Sequence, residues 1–279
     1  MSATDIDMAR SLMSDSVDKT KMYVSLDQSK AYSEFRPRYS EELFKTIADY
    51  CRETMPDLGL AVDVGCGPGM STLGFCKYFK KVIGIDVSET QIACAPKDVA
   101  NCEFKVGYSH QLPFIKSKSV DLFCSGESFN LMPHKETFDE ADRVLKPGGT
   151  LALFGYTFKA TKPEIQTFFD QLLAKFVTYY PKETALILNK LRDITLPYSD
   201  YVRREDLKSV KRITPEDYIG FVKSLWAFVA YSKDHPEVDV AGEMQKELED
   251  LVAGVNEAGD RTFEVVWELF ILMGRKPKN

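Results

Sequence analysis

Apolar positions along the chain follow three rhythms. Between 41 and 55 they recur at Leu43, Phe44, Ile47, Ala48 and Cys51, which is one face of a helix. Ser40 stands where it can cap that helix, and Glu41 and Glu42 fall in the first turn, which favours negative charge. From 60 to 155 short apolar runs alternate with helix-length segments. Residues 60–64, 81–86, 102–106, 120–124 and 150–155 read as strands. Residues 71–79, a segment opened by Ser88, and residues 138–145 read as helices. Gln91, three residues after Ser88, completes a capping box, and Pro147-Gly148-Gly149 stops the last helix. After Tyr156 the pattern is mostly helical. Thr214-Pro215-Glu216-Asp217 is a helix start with proline at the first helical position. Ile219, Val222, Leu225, Trp226 and Val229 form one apolar stripe, and Met244, Leu248, Leu251, Val252 and Val255 another. One strand is predicted near 197–205 and a final one over 263–273. Residues 1–30, polar and turn-rich, are predicted to be a mobile arm or lid.

Strands that alternate with helices predict an α/β fold with a parallel sheet covered on both faces. Composition narrows the class. The chain has 279 residues, 44% of them hydrophobic, and a net charge of −6. That length supports a core without metal or disulfide staples. The acidic balance and the lack of a basic stripe exclude a partner held mainly through phosphates, so no nucleic-acid partner is expected. No run approaches the ~20 apolar residues of a membrane span. The first 18 residues carry four aspartates and no apolar core of a signal peptide, which predicts a cytoplasmic protein. Six cysteines, none spaced C-x-x-C, are expected as reduced thiols, and no metal site is expected.

The segment Val62-Asp63-Val64-Gly65-Cys66-Gly67-Pro68-Gly69 follows a strand and precedes a helix. Its glycines let the backbone turn sharply and approach a ligand without a Cβ clash. Asp86 ends the next strand, 21 positions after Gly65, where a carboxylate can accept both hydroxyls of a ribose. Three readings fit such a segment: a plain strand-to-helix turn, a dinucleotide loop, or a loop around an adenosyl group without phosphates. Met70 stands where the dinucleotide pattern needs Gly or Ala, and Pro68 stiffens the stretch that would cradle a pyrophosphate.

The same eight residues resemble motif I of class I S-adenosylmethionine-dependent methyltransferases. Ile83-Gly84-Ile85-Asp86-Val87-Ser88, Gly107-Tyr108-Ser109-His110-Gln111-Leu112-Pro113-Phe114 and Arg143-Val144-Leu145-Lys146-Pro147-Gly148-Gly149 are similar to three further segments of that family, in order. Tyr32-Ser33-Glu34-Phe35-Arg36-Pro37-Arg38-Tyr39 resembles the N-terminal segment of small-molecule enzymes related to trans-aconitate methyltransferase. The resemblance implies a Rossmann-like, seven-stranded, mostly parallel sheet in the order 3-2-1-4-5-7-6. Residues 1–40 would form an arm and lid, and a helical cap would be inserted at about 156–260 in a domain spanning 41–279. It implies S-adenosylmethionine as cofactor, held by Gly65, Cys66, Gly67, Asp86, Val87, Ser109, His110 and Ser125. Arg36 would hold a carboxylate of the cofactor or of the acceptor. His110 departs from the acid usual at its position, but a neutral imidazole still accepts one hydrogen bond.

Tyr32, Glu127, Asn130 and Trp226 are the candidate substrate residues. Tyr23, Tyr32 and Tyr39 could wall the sulfonium, because ring faces attract cations. No catalytic residue is assigned, since a carboxylate acceptor needs no general base. The expected partner is a small-molecule methyl acceptor, with a methyl ester as product. The competing expectation is a protein that binds the cofactor and acts as a partner or regulator without turnover.

Overall fold

The computed structural model of the chain describes every residue except Met1, Ser2, Val24, Ala258 and Asn279. The alternating stretch forms β1 (Leu60–Val64), α4 (Met70–Phe75), β2 (Lys81–Asp86), α5 (Glu89–Ala93), β3 (Cys102–Val106), β4 (Val120–Gly126), α6 (His134–Val144) and β5 (Leu145–Ala160). Before it come α1 (Ala3–Leu12), α2 (Leu26–Phe35) and α3 (Glu41–Arg52). After it come α7 (Pro163–Phe176), α8 (Thr184–Leu188), β6 (Tyr201–Arg204), β7 (Lys208–Ile213), α9 (Pro215–Lys223), α10 (Trp226–Asp234), α11 (Val240–Val255) and β8 (Phe263–Arg275). The capping signals act as the sequence indicates at two starts. Ser40 Oγ accepts from Leu43 N–H, and Thr214 with Asp217 forms a full capping box.

The sheet runs β3-β2-β1-β4-β5-β8-β6, with β7 also paired to β8. The first five strands are parallel, and β8 returns antiparallel to β5 along eleven register positions. This is the expected order, with one change: the last place is shared by two strands. β6 pairs with the end of β8, from Ile271 to Gly274, and β7 with its beginning, from Phe263 to Glu268. The segment 156–260 is therefore not purely helical, because β6 and β7 join the main sheet. The sequence reading found β6 and missed β7. Lys208, Lys211 and Arg212 mask that strand, and basic side chains on an exposed edge strand discourage pairing with other chains.

The N-terminal region is a second correction. It holds two helices, and its Met13 and Met22 are buried. Ser14 pairs with Pro181, and Lys19 and Lys182 bridge Glu183 and Asp15. The packing partners lie more than 160 residues away, so nothing local in the sequence announced this order.

Apolar side chains fill both faces of the sheet. One cluster gathers Phe44, Phe75, Phe154, Phe168 and Ile271, and the other Val62, Ile85, Phe123, Leu153 and Phe270. Asp121 stitches the open ends of β1 and β4 together. Its fully buried carboxylate accepts from Gly59 N–H at 3.0 Å and Leu60 N–H at 2.7 Å, and pairs with Lys146 Nζ at 2.8 Å. Replacing Asp121 with alanine orphans two amides and a half-buried ammonium. Loss of one partner of a buried pair costs about 3–5 kcal/mol, and the exposure of Lys146 puts the expected loss near the lower end. Urea unfolding of the variant will measure it, and a loss within experimental error would overturn this account.

Candidate functional site

The glycine loop is built by its ties to the end of β2. Gly65 and Cys66 donate their N–H groups to Ile85 O at 2.7 and 3.1 Å. Gly67 N–H donates to Asp86 Oδ2 at 2.8 Å, and Ser88 N–H to Asp86 Oδ1 at 2.9 Å. Asp86 thus orients the loop, and each carboxylate oxygen keeps lone-pair capacity for a ligand. Burial raises its pKa, while the Ser88 and Gly67 amides pull it back. Gly65 has φ +67°, and a Cβ there would lie 2.5 Å from Ser128 Cβ. Glycine at this position lets the segment after β4 close on the loop, where Ser128 Oγ donates to Gly65 O at 2.8 Å.

Beside this loop lies a cavity of about 230 Å³, lined by Asp86, Val87, Ser88, Gln91, Ser109 and His110 from the sheet side. Lys19, Met22 and Tyr23 line it from the N-terminal region. Ser88 Oγ and Thr90 Oγ1 latch that cover by donating to Tyr23 O at 2.8 and 2.7 Å. Two buried polar atoms of lining residues have no hydrogen-bond partner, Gln91 Oε1 and His110 Nδ1. A buried polar group without a partner costs about 1–3 kcal/mol, so such atoms in a cavity wall mark a place for a polar ligand. Gln91 corrects the capping-box reading. Ser88 Oγ accepts from Gln91 N–H, but Ser88 N–H goes to Asp86 and not to the Gln91 side chain.

A second, much smaller cavity, of about 10 Å³, also adjoins the loop. Tyr32, Tyr39, Tyr156, Glu127, Gly65 and Cys66 are among its lining residues. Tyr32 and Gly65 line both cavities. Glu127 Oε1 accepts from Tyr156 N–H at 2.7 Å. Burial pushes the Glu127 carboxyl up to about 7 against the pull of that amide and of Arg36. Arg36 is buried, lies 4.5 Å from the Tyr32 ring centroid, and lines neither cavity. Its Nε donates to Ser224 Oγ at 2.9 Å and its Nη1 to Tyr156 Oη at 3.3 Å. Among the described residues, no carboxylate stands within ion-pair distance of it.

The structure brings together Gly65, Gly67, Asp86, Val87, Ser109 and His110 around the large cavity, and Tyr32, Cys66 and Glu127 at the small one. Four candidates lie elsewhere, Arg36 and three more. Ser125 is buried within β4 with its Oγ unpartnered and lines neither cavity. Asn130 is buried, lines neither cavity, and donates Nδ2 to Glu183 O at 3.2 Å. Trp226 opens α10, half-buried, away from both cavities. Asp63 meets no loop amide: Ser71 Oγ and Thr72 Oγ1 donate to it at 2.7 Å each. Burial lifts its carboxyl to about 6. Sequence reasoning missed Gln91 and Tyr156 as wall residues. Gln91 was hidden by its capping role, and Tyr156 lies at the far end of β5, beyond the predicted strand. All six cysteines are free, and among the described residues no cluster could hold a metal ion.

The wall fits an adenosyl ligand. Asp86 faces the cavity as a two-oxygen acceptor, and the unpartnered Gln91 and His110 atoms await polar groups. S-adenosylmethionine, the donor implied by the sequence, has a ribose diol and an adenine edge to satisfy them.

Comparison with known proteins agrees. Residues 62–153 match the family described as a methyltransferase domain. A methyltransferase-named protein of Dictyostelium discoideum is 29% identical over 260 residues, covering 89% of this chain and 93% of its own. A Saccharomyces cerevisiae protein named "probable S-adenosylmethionine-dependent methyltransferase" is 25% identical over 287 residues, covering 89% and 96%. A solved methyltransferase-titled structure from Anaeromyxobacter dehalogenans shares the fold, with TM-score 0.72 and 23% identity, over 88% of this chain and all of that one. Residues 62–153 are therefore a methyltransferase domain, and the chain is a methyltransferase.

Proposed function

We propose that the chain moves a methyl group from S-adenosylmethionine to a carboxylate oxygen of a small molecule, giving a methyl ester. Bound S-adenosylmethionine supplies a methyl group on a sulfonium, already activated toward a nucleophile. The chain's own residues bind, orient and exclude water. Asp86 accepts the ribose hydroxyls, Gln91 and His110 meet the rest of the adenosyl part, and the Gly65–Gly69 loop lies along the chain that follows. Orientation of this kind is worth up to ~7–11 kcal/mol.

The observation that carries the ester reading is Arg36. Its guanidinium lies against Tyr32 and donates to Tyr156, both walls of the small cavity, so a positive charge stands behind that wall and favours a carboxylate in front of it. The aromatic surroundings, Tyr39 against Phe154 and Tyr156 against Trp267, suit an apolar body on the acceptor. The Tyr32–Tyr39 segment supports the narrower likeness to small-molecule enzymes related to trans-aconitate methyltransferase. The free thiols suit a reducing, cytoplasmic setting.

A screen of carboxylates, amines and phenols, read as S-adenosylhomocysteine formed, tests the proposal. Turnover is expected with carboxylates, with the ester found by mass spectrometry. Turnover confined to amines or phenols would overturn it.

A further inference from the structure

The small cavity is walled by three tyrosines and one carboxylate. It shares two wall residues, Tyr32 and Gly65, with the large cavity. A ligand seated in the large cavity and continuing past Gly65 presents its next atoms to this box. Ring faces and a carboxylate together favour a cation. Glu127 is held there by two unusual features. Its backbone sits at φ +58°, in the left-handed region that glutamate rarely adopts. Gly155 leaves the room its side chain needs, since a Cβ there would lie 2.2 Å from Glu127 Oε1.

We propose that Glu127 is a specificity-determining residue that recognises the positive charge of the sulfonium, so that the site prefers S-adenosylmethionine to uncharged S-adenosylhomocysteine. The inference rests on the adenosyl reading above. It gives the chain a device for releasing product: once the methyl group has left, the charge that Glu127 recognises is gone.

The charged and titratable groups around Glu127 are few. Tyr32 faces it from α2, Arg36 from the residue that caps α2, Tyr39 from the stretch before α3, and Tyr156 from β5. Burial raises the three phenols, so they stay neutral near pH 7. Asp63 on β1 lies behind Ser71 and reaches only about 6, below the about 7 of Glu127. A change in cation preference between pH 6 and 8.5 that is lost in Glu127→Gln belongs to Glu127, because Asp63, also lifted by burial, is intact in that variant.

Calorimetric dissociation constants for S-adenosylmethionine and S-adenosylhomocysteine, taken from pH 6 to 8.5, test this on wild type and Glu127→Gln. A mutual shift of one pKa unit corresponds to about a tenfold change in preference. The wild-type preference for the sulfonium is expected to grow about tenfold with pH, and that of Glu127→Gln to stay flat. A flat wild-type ratio, or an equal rise in the variant, would overturn the proposal. Should the variant not fold, sinefungin on wild type decides: its amine replaces the methylsulfonium, and its affinity relative to S-adenosylhomocysteine must rise in the same way. If neither adenosyl ligand binds at any pH, the adenosyl reading itself fails, a result distinct from a flat ratio.

Discussion

Asp86→Ala will lose most of the thermal stabilisation that S-adenosylhomocysteine gives to the wild type. A ligand at 100 times its dissociation constant adds about 2.7 kcal/mol to the folded state. Asp86 is the carboxylate at the end of β2, and its two oxygens also hold the amides of Gly67 and Ser88. Hydrogen bonds to a charged group contribute about 1.5–3 kcal/mol each, so loss of two to a ribose weakens binding roughly a hundredfold or more. The alanine variant also frees the glycine loop, which adds to the loss. Asp86→Asn separates the two effects, since a neutral amide oxygen can still accept from one loop amide while the charge-assisted bonds to ligand are gone. Both variants are expected to bind weakly, with the unliganded midpoint falling more for alanine. Undiminished stabilisation of Asp86→Ala by S-adenosylhomocysteine would remove Asp86 from the site.

Arg36→Met will separate stability from activity with opposite signs. A buried guanidinium with hydroxyl partners, and no carboxylate at ion-pair distance among the described residues, is costly to keep dry. Methionine fills a similar stem volume beside Tyr32 and Phe221 without the charge. Replacement of buried charged groups by apolar ones is often neutral or stabilising, by up to about 1–4 kcal/mol. Ser224 Oγ loses little, because it also donates to Phe221 O at 2.6 Å. The unliganded midpoint is therefore expected to hold or rise. kcat/KM for a carboxylate acceptor should fall about tenfold or more, because a positive charge behind the cavity wall is worth about 1–2 kcal/mol to an anion in front of it. Thermal unfolding beside steady-state kinetics checks both halves. A sharp fall in midpoint with unchanged kcat/KM would make Arg36 a structural residue and leave the ester reading without support.

Sequence alone determined the parts whose physics is local. The strand–helix rhythm follows from which side chains must be buried at which period, so five parallel strands could be expected, while their order came from the family resemblance. The glycine loop and Asp86 were legible because a sharp turn needs glycine and because strand ends in such sheets converge on one edge. Ser40 and Thr214 marked helix starts for the same reason. The tertiary structure alone decided what depends on distant partners. Residues 1–30 look like a loose arm until the region around 181–188 is folded against them. Lys208–Ile213 looks like a charged loop until β8 offers an edge to pair with. Ser125 and Glu127 looked equally suited to a site. The strand keeps Ser125 in the core, whereas Glu127, past the end of β4, turns through a left-handed backbone into the small cavity. That cavity gathers residues from α2, the stretch before α3, the glycine loop, the end of β4 and the far end of β5. No spacing in the chain encodes such a meeting, because it is set by how a twisted sheet and its covering helices close on one another.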